Sequence, residues 1–142
     1  MKKTIIHVFD IHASLATANA ALTTIQGLSG WWTTDVTGTT AEGGVINFRF
    51  AEIFKPDMKV LKTSGNEVQW ECVGGVEEWA GDIFTFSLQQ NGDMAKLSFK
   101  QEYAGDISDE AYGRFNFNWG YYLNSMKQYC ETGKGAPYPA KK

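Results

Sequence analysis

The side chains best suited to catalysis are few in this sequence. The chain contains two histidines and two cysteines among 142 residues. His7 is expected to share the inward face of the first strand with Phe9 and Ile11, which makes it the one candidate for an inward-facing acid or base. No Ser/His/Asp or Cys/His set accompanies it. A structural histidine, hydrogen-bonded in or beside the core, is the simpler interpretation, and we assign no catalytic residue.

No sequence motif indicates a metal or a cofactor. Cys72 and Cys130 are both expected to face inward, where two unreactive buried thiols are favoured and a disulfide is the alternative. Side chains at metal-binding spacing are missing. The chain has no P-loop and no GxGxxG fingerprint for phosphate or dinucleotide binding. We therefore predict no metal and no cofactor.

Two pairs of adjacent carboxylates are the remaining candidates for acid–base chemistry. Glu77 and Glu78 lie in a glycine-bounded loop beside Trp79, and this pattern favours a solvated loop. Asp109 and Glu110 lie where a helix is expected to begin, and negative charge there stabilises the positive end of the helix dipole. Neither pair predicts a catalytic site.

Aromatic side chains are more informative, because five Trp, six Tyr and nine Phe make up 14% of the chain. Each one removes about 150–250 Å² from water when it is buried. This ring volume indicates either a thick filled core or a pocket lined by rings, and the residues alone leave both interpretations open. Trp32 and Trp79 are the candidates for the mouth of such a pocket.

A long helix from Ser108 to about Gly133 must carry part of this aromatic set. Ser108 is expected to cap the helix and Gly133 to end it. Its apolar face, at helical spacing, comprises Tyr112, Phe115, Trp119, Tyr122, Leu123, Met126 and Cys130. Phe117 and Tyr121 lie opposite Trp119, which predicts a partner or dimer surface if the helix is regular there. The alternative is a later helix start, with Phe117 packed locally.

The preceding segments alternate between apolar and polar residues as short strands do. A first strand, Thr4–Ala13, precedes an alanine-rich helix, Ser14–Ile25, and a short second helix near Gly27–Trp32. Six strands follow, predicted at Thr33–Thr40, Val45–Ala51, Met58–Ser64, Val68–Val73, Ile83–Gln89 and Met94–Tyr103. Asn91–Gly92 is a strong hairpin signal. We predict an antiparallel sheet with one solvated face, whose apolar face is covered by the long helix.

Length and charge narrow the class of protein. A chain of this length predicts one domain, assigned to residues 1–134, with a tail at 135–142. The net charge of −3 argues against nucleic-acid binding, and no stretch approaches the roughly 20 apolar residues of a membrane span. The N-terminus resembles a secretory signal, but His7, Asp10 and His12 interrupt its apolar stretch. We therefore expect a cytoplasmic protein without membrane insertion.

The order of elements, together with five strings, resembles the START-like, or SRPBCC, superfamily. The strings are ALTTIQGLSGWWT (Ala21–Thr33), GGVINFRF (Gly43–Phe50), VQWECVGG (Val68–Gly75), EWAGDIFTFSL (Glu78–Leu88) and NWGYYLNSMKQYCETGKGAPYP (Asn118–Pro139). They look like the branch related to the activator of heat-shock-protein-90 ATPase, which includes polyketide cyclase-like proteins. The resemblance implies an α+β helix-grip fold: a curved antiparallel sheet wraps around the long C-terminal helix, and two short helices follow the first strand. It also implies a cavity between sheet and helix.

Members of this superfamily bind hydrophobic small molecules, act as cyclases or dehydratases, or bind partner proteins, so the fold does not choose the function. We predict a protein that binds an unidentified hydrophobic or amphipathic small molecule between sheet and helix. The expected ligand-binding residues are Trp32, Phe48, Phe50, Trp70, Trp79, Phe84, Phe86, Phe115, Trp119, Leu123 and Met126. The alternatives are a cyclase or dehydratase acting on a polyketide-like substrate, and a co-chaperone-like interaction module. A homodimer through Phe117 and Tyr121 is compatible with all three.

Overall fold

A computed structural model describes residues 2–139 of the chain. The elements in order are β1 (Thr4–Ile11), α1 (Leu15–Thr23), α2 (Ile25–Trp31), β2 (Asp35–Gly38), β3 (Val45–Arg49), β4 (Asp57–Thr63), β5 (Glu67–Gly74), a 3-10 turn (Glu77–Trp79), β6 (Ile83–Asn91), β7 (Met94–Glu102) and α3 (Asp109–Thr132). The predicted order of one strand, two short helices, six strands and one long helix is confirmed. The fold is the α+β helix-grip arrangement.

The seven strands form one antiparallel sheet in the order β1-β7-β6-β5-β4-β3-β2. Strands β2 to β7 follow one another as a meander, and β1 joins the far side of β7. Alternation places one set of side chains inward on each strand, as in Phe84, Phe86 and Leu88 of β6. In β4 the register shifts between Val60 and Lys62, so the Lys62 side chain points to solvent. Strict alternation along the predicted strand Met58–Ser64 puts Lys62 on the same face as Val60. That prediction is wrong, because a strand irregularity reverses the alternation.

Helix α3 has the predicted ends, and four of the seven residues predicted for its apolar face are buried, while Tyr112, Tyr122 and Cys130 are half-buried. The Ser108 hydroxyl accepts the Ala111 N–H at 3.1 Å, and Gly133 ends the helix with a left-handed φ of 85°. Its fully buried residues are Ala111, Phe115, Trp119, Leu123, Ser125 and Met126. The helix is regular through Phe117, so the alternative of a later helix start is wrong, and Phe117 lies on the outward face.

The two short helices meet at Thr24 and bury both adjacent tryptophans. The Thr24 hydroxyl caps α2 by accepting the Gly27 N–H at 2.9 Å, so the first helix ends earlier than predicted. The indole N–H of Trp31 donates to the carbonyl of Ala21 at 2.8 Å. Trp31 and Trp32 are 0% and 3% exposed. The neighbouring tryptophans therefore both belong to the interior.

The segment predicted as a tail docks on the helices as far as Tyr138. The backbone N–H of Tyr138 donates to the carbonyl of Trp32 at 2.9 Å, and Thr33 forms a parallel bridge with Tyr138. The Ala136 N–H donates to the Ser125 hydroxyl at 2.7 Å. Residues 135–138 are thus not free, because their backbone groups bond to α3 and to the end of α2. Residues 140–142 of that predicted tail lie outside the described part of the chain.

The backbone conformation of Gly75 and the atoms around it exclude a side chain at this position. Its φ is +84°, and a Cβ there would collide with the carbonyl oxygen of Lys55. We expect Gly75→Ala to lower the free energy of unfolding by more than about 2 kcal/mol. Gly65→Ala is the control, because its Cβ would meet nothing within 4 Å, and it should change stability by less than about 0.5 kcal/mol. Urea unfolding followed by tryptophan fluorescence measures both, and equal losses would contradict this interpretation.

Candidate functional site

A cleft of about 380 Å³ opens beside the N-terminal half of α3. The lining residues are Trp32, Phe50, Ile53, Phe54, Glu78, Trp79, Arg114, Phe115, Asn118, Trp119, Tyr122 and Tyr138. They come from the end of α2, the loop after β3, the 3-10 turn, α3 and the docked C-terminal segment. The volume falls within the range of about 300–1,000 Å³ typical of small-molecule sites.

Three indole rings form a layered wall of this cleft. The Trp119 ring lies between two others, with its centroid 5.0 Å from Trp32 at an interplanar angle of 25°. On the other side Trp79 lies 6.0 Å away at 13°. Phe115 packs 5.2 Å from Trp79 at a steeper angle. Because all four rings are almost fully buried and packed on one another, the wall is rigid and presents apolar surface to the cleft.

A chain of buried hydrogen bonds fixes the middle ring. The Trp119 indole N–H donates to the Gln101 side-chain oxygen at 2.8 Å. The Gln101 amide N–H donates to one Asp82 oxygen at 2.9 Å, and the Ala104 backbone N–H donates to the other at 2.8 Å. Asp82 and Gln101 are both 0% exposed. The Gln101 amide thus bonds through both its oxygen and its nitrogen, and the Asp82 carboxylate accepts through both oxygens, so the Trp119 ring is held in one orientation.

Two opposing effects act on the Asp82 carboxyl. Burial raises the pKa of Asp82, while the hydrogen bonds from Ala104 and Gln101 lower it, and burial is the larger effect. The hydroxyl of Tyr103 is also buried nearby, and burial together with the Asp82 charge raises the pKa of that phenol. The inner end of the cleft wall is therefore polar but closed to solvent.

The mouth of the cleft carries a positively charged side chain, a negatively charged side chain and an exposed apolar side chain. The Arg114 guanidinium lies 5.8 Å from the Phe115 ring centroid and 3.8 Å from Glu110 one turn earlier. Glu78 contributes a carboxylate from the 3-10 turn. Ile53, at the tip of the loop after β3, is 83% exposed. Polar groups at a rim and rings inside suit a molecule with an apolar body and a polar end.

Comparison with known proteins gives matches among solved structures. No protein-family model matches the chain, and no curated protein does. The solution structure of the Aha1 dimer from Colwellia psychrerythraea is 32% identical, with a TM-score of 0.84, and covers 94% of this chain and 99% of that chain. The chain belongs to the Aha1-related branch of the START-like superfamily. The resemblance seen in the sequence is confirmed.

More distant structures share the fold of this Aha1-related chain. CalU16 from Micromonospora echinospora is 14% identical, with a TM-score of 0.77, and covers 95% of this chain and 70% of that chain. Protein MLL2253 from Mesorhizobium loti is 18% identical, with a TM-score of 0.76, and covers 89% of this chain and 95% of that chain. At these identities the likeness shows the fold alone.

The structure places the predicted ligand-binding residues in two groups. Trp32, Phe50, Trp79, Phe115 and Trp119 line the cleft. The others, Phe48, Trp70, Phe84, Phe86, Leu123 and Met126, lie in the packed interior and do not reach the cleft. They face inward as predicted, but side chains fill the space around them: the Phe48 ring, for example, is 4.4 Å from Trp32.

Several residues that line the cleft were not among the ligand-binding residues predicted from the sequence. On α3 they are Arg114, Asn118 and Tyr122, which are spaced four apart and flank the Phe115 and Trp119 stripe. That spacing is a helical signal that could have identified them. Ile53, Phe54 and Tyr138 lie outside helices and strands and Glu78 lies in the short 3-10 turn, so no periodicity marks them.

The other candidates for chemistry lie away from the cleft. His7 is half-buried beside the opposite side of α3, with its Nε2 2.9 Å from the Asn116 side-chain oxygen. Cys72 and Cys130 are both free thiols, so no disulfide joins them. Burial raises the pKa of both, to about 11 for Cys130. At neutral pH such thiols are protonated and unreactive.

Among residues 2–139, no three His, Cys, Asp or Glu side chains come together as a metal site would need. The helices found in the same range are too short or too polar to cross a membrane.

Replacing Asp82 tests the hydrogen-bond chain. In the Asp82→Asn variant, the new side-chain N–H₂ group would face the N–H₂ group of Gln101, so that two donors meet. If the Gln101 amide rotated to avoid this, its N–H₂ group would face the N–H donor of Trp119 instead. One buried donor is then unpaired, so we expect the free energy of unfolding to fall by about 1–3 kcal/mol. Asp106→Asn is the control, because Asp106 is exposed, and it should change stability by less than about 0.5 kcal/mol. If both variants unfold at the same urea concentration as wild type, the chain does not stabilise the fold.

The pH dependence of the stabilities of wild type and Asp82→Asn tests whether burial outweighs hydrogen bonding in setting the pKa of Asp82. Because the folded-state pKa of Asp82 is raised, the folded protein takes up a proton at a higher pH than the unfolded chain does. The stability of wild type relative to Asp82→Asn should therefore increase as the pH falls through that raised pKa, and decrease as it rises. Urea unfolding of both proteins at several pH values gives this difference. A difference that shrinks on acidification would mean that the two hydrogen bonds outweigh burial.

Proposed function

We propose that the protein binds an apolar or amphipathic small molecule in the cleft beside α3. The observation that carries the proposal is a cleft of about 380 Å³ walled by the stacked rings of Trp32, Trp119 and Trp79. The buried aromatic side chains at the centre of the sheet pack on one another, so the cleft is an opening beside a packed core. Membership of a branch whose fold accommodates ligands supports the proposal.

Burial of the ligand's apolar surface supplies the affinity. Each Å² of apolar surface removed from water contributes about 25 cal/mol, so a molecule burying about 200 Å² gains about 5 kcal/mol before the cost of association. The indole wall is rigid in the free protein because its rings pack on one another and the middle ring, Trp119, is held by a hydrogen bond. Little side-chain ordering is then needed on binding, which preserves most of that gain.

The charges at the mouth orient the ligand. Arg114 and Glu78 both line the cleft, and Asn118 lies one turn beyond Arg114 on the same wall. An apolar body would lie against the tryptophans, and a polar end would remain with these side chains and with water. This arrangement favours amphipathic molecules over purely apolar ones.

The cyclase or dehydratase alternative has less support. His7, the candidate acid or base, lies beside Asn116 and outside the cleft. Among the described residues that line the cleft, Glu78 at the rim is the one acidic side chain. Binding without acid–base catalysis is therefore the function that this geometry supports best.

We also propose that the protein forms a homodimer. The Aha1 relative from Colwellia psychrerythraea, at 32% identity over nearly the whole chain, has been solved as a dimer. Exposed aromatic residues on α3 of this chain support the proposal, since such side chains are favoured at protein interfaces.

A rim substitution tests the cleft as a binding site. Ile53→Glu should weaken binding of anilinonaphthalene sulfonate about fivefold or more, because it removes apolar surface and adds negative charge near the anionic probe. Val73→Glu is the matched control: Val73 is also exposed, at 50%, but it lies on β5 away from the cleft. Fluorescence titration gives both dissociation constants. Equal effects of the two substitutions would contradict the proposal.

A further inference from the structure

The outward face of α3 carries two exposed aromatic side chains. Phe117 is 76% exposed and Tyr121 is 54% exposed, and they lie one helical turn apart. The only ring that Tyr121 meets among the described residues is that of Tyr122, edge-on at 4.9 Å. Both side chains therefore project away from the core of their own chain.

This face also lacks charge over a long stretch. No Asp, Glu, Lys or Arg occurs between Phe115 and Met126, although the outward positions of a surface helix are usually charged. The other exposed residues of that stretch are the uncharged Asn116, Asn118 and Asn124, of which Asn124 lies on the same side of the helix as Phe117 and Tyr121. Exposed aromatic residues combined with missing charge are the composition of the centre of a protein interface.

We propose that this face, which we call the α3 outer face, receives the same face of a second copy. The two helices lie antiparallel about a two-fold axis that passes between Phe117 and Tyr121. Phe117 then contacts Tyr121 of the partner subunit, and the same contact repeats on the other side of the axis. The inference rests on the homodimer proposed above and specifies its interface.

The charges at the ends of the face are compatible with this register. Arg114 would lie opposite Asn124 of the partner subunit, and Glu110 opposite Gln128 of the partner subunit. No charged group meets a like charge, so nothing in this pairing opposes association. In the antiparallel direction each charged residue of the face thus lies opposite a neutral amide, and the symmetric pairing brings no like charges together.

Sedimentation of the full chain over a range of concentrations tests the interface. Wild type should show a monomer–dimer equilibrium, and a Phe117→Ser, Tyr121→Ser double variant should raise the dimer dissociation constant about tenfold or more. Val73→Ser is the control, since it removes a similarly exposed apolar side chain from β5. A wild type that is monomeric throughout overturns the homodimer itself. A double variant that dimerises as well as wild type overturns only the α3 outer face as its interface.

A charge-complementation experiment tests the antiparallel register. Phe117→Lys and Tyr121→Glu should each weaken self-association, because each removes both aromatic contacts of the dimer and leaves charges in the interface without opposite charges. Mixed together, the two variants should form a heterodimer. One of its two contacts would pair the new Lys with the new Glu, and the other would keep the native Phe and Tyr side chains. Native mass spectrometry distinguishes the heterodimer from either homodimer. Failure of the mixture to associate more tightly than the separate variants contradicts this register.

Discussion

The hydrogen-bond chain from Asp82 through Gln101 to Trp119 is the constraint on which the rest of the structure depends. It connects the start of β6, the end of β7 and the centre of α3, and so it joins the sheet to the helix that the sheet grips. Apolar packing alone would let the helix slide or rotate, because the hydrophobic effect has no direction. Buried donors and acceptors permit one arrangement, since each unpaired group costs about 1–3 kcal/mol.

The cleft follows from how the aromatic side chains fill the space around that chain. At the centre of the sheet the Trp70 ring packs against the rings of Phe48 and Phe86, at centroid distances of 5.5 and 4.8 Å. Beside the first half of α3, a cleft opens between the helix, the loop after β3 and the 3-10 turn, and the three indoles form one of its walls. One aromatic core thus supplies both a filled interior and an open site.

Much of this architecture is visible in the sequence. Helical spacing and the residues Ser108 and Gly133 predict α3 with its buried face and both caps, and alternation predicts the strands. The sequence patterns do not separate inward rings that line a space from those that fill it. Phe84 and Trp79 are both buried aromatics, but only Trp79 has an opening beside it. That difference depends on the paths of loops, which have no periodicity.

The hydrogen-bond chain of Asp82, Gln101 and Trp119 could not be predicted from the sequence for a related reason. Asp82 follows a glycine at the edge of a loop and looks like an ordinary solvated carboxylate, while Gln101 alternates with outward lysines on β7. Their burial depends on contacts between residues far apart in the chain. Tyr138 is a similar case, since its docking depends on the backbone of Trp32. Long-range pairing of this kind leaves no local signal.

The five tryptophans allow the most direct test of the cleft as a ligand site. Protein labelled with fluorotryptophan would be titrated with anilinonaphthalene sulfonate and followed by fluorine NMR, with single Trp→Phe variants assigning the signals. The signals of Trp32, Trp79 and Trp119 should shift most, because these rings line the cleft, while those of Trp31 and Trp70 shift less. If Trp31 and Trp70 respond as strongly as the other three, or if no tryptophan signal responds to bound probe, the cleft is not the binding site.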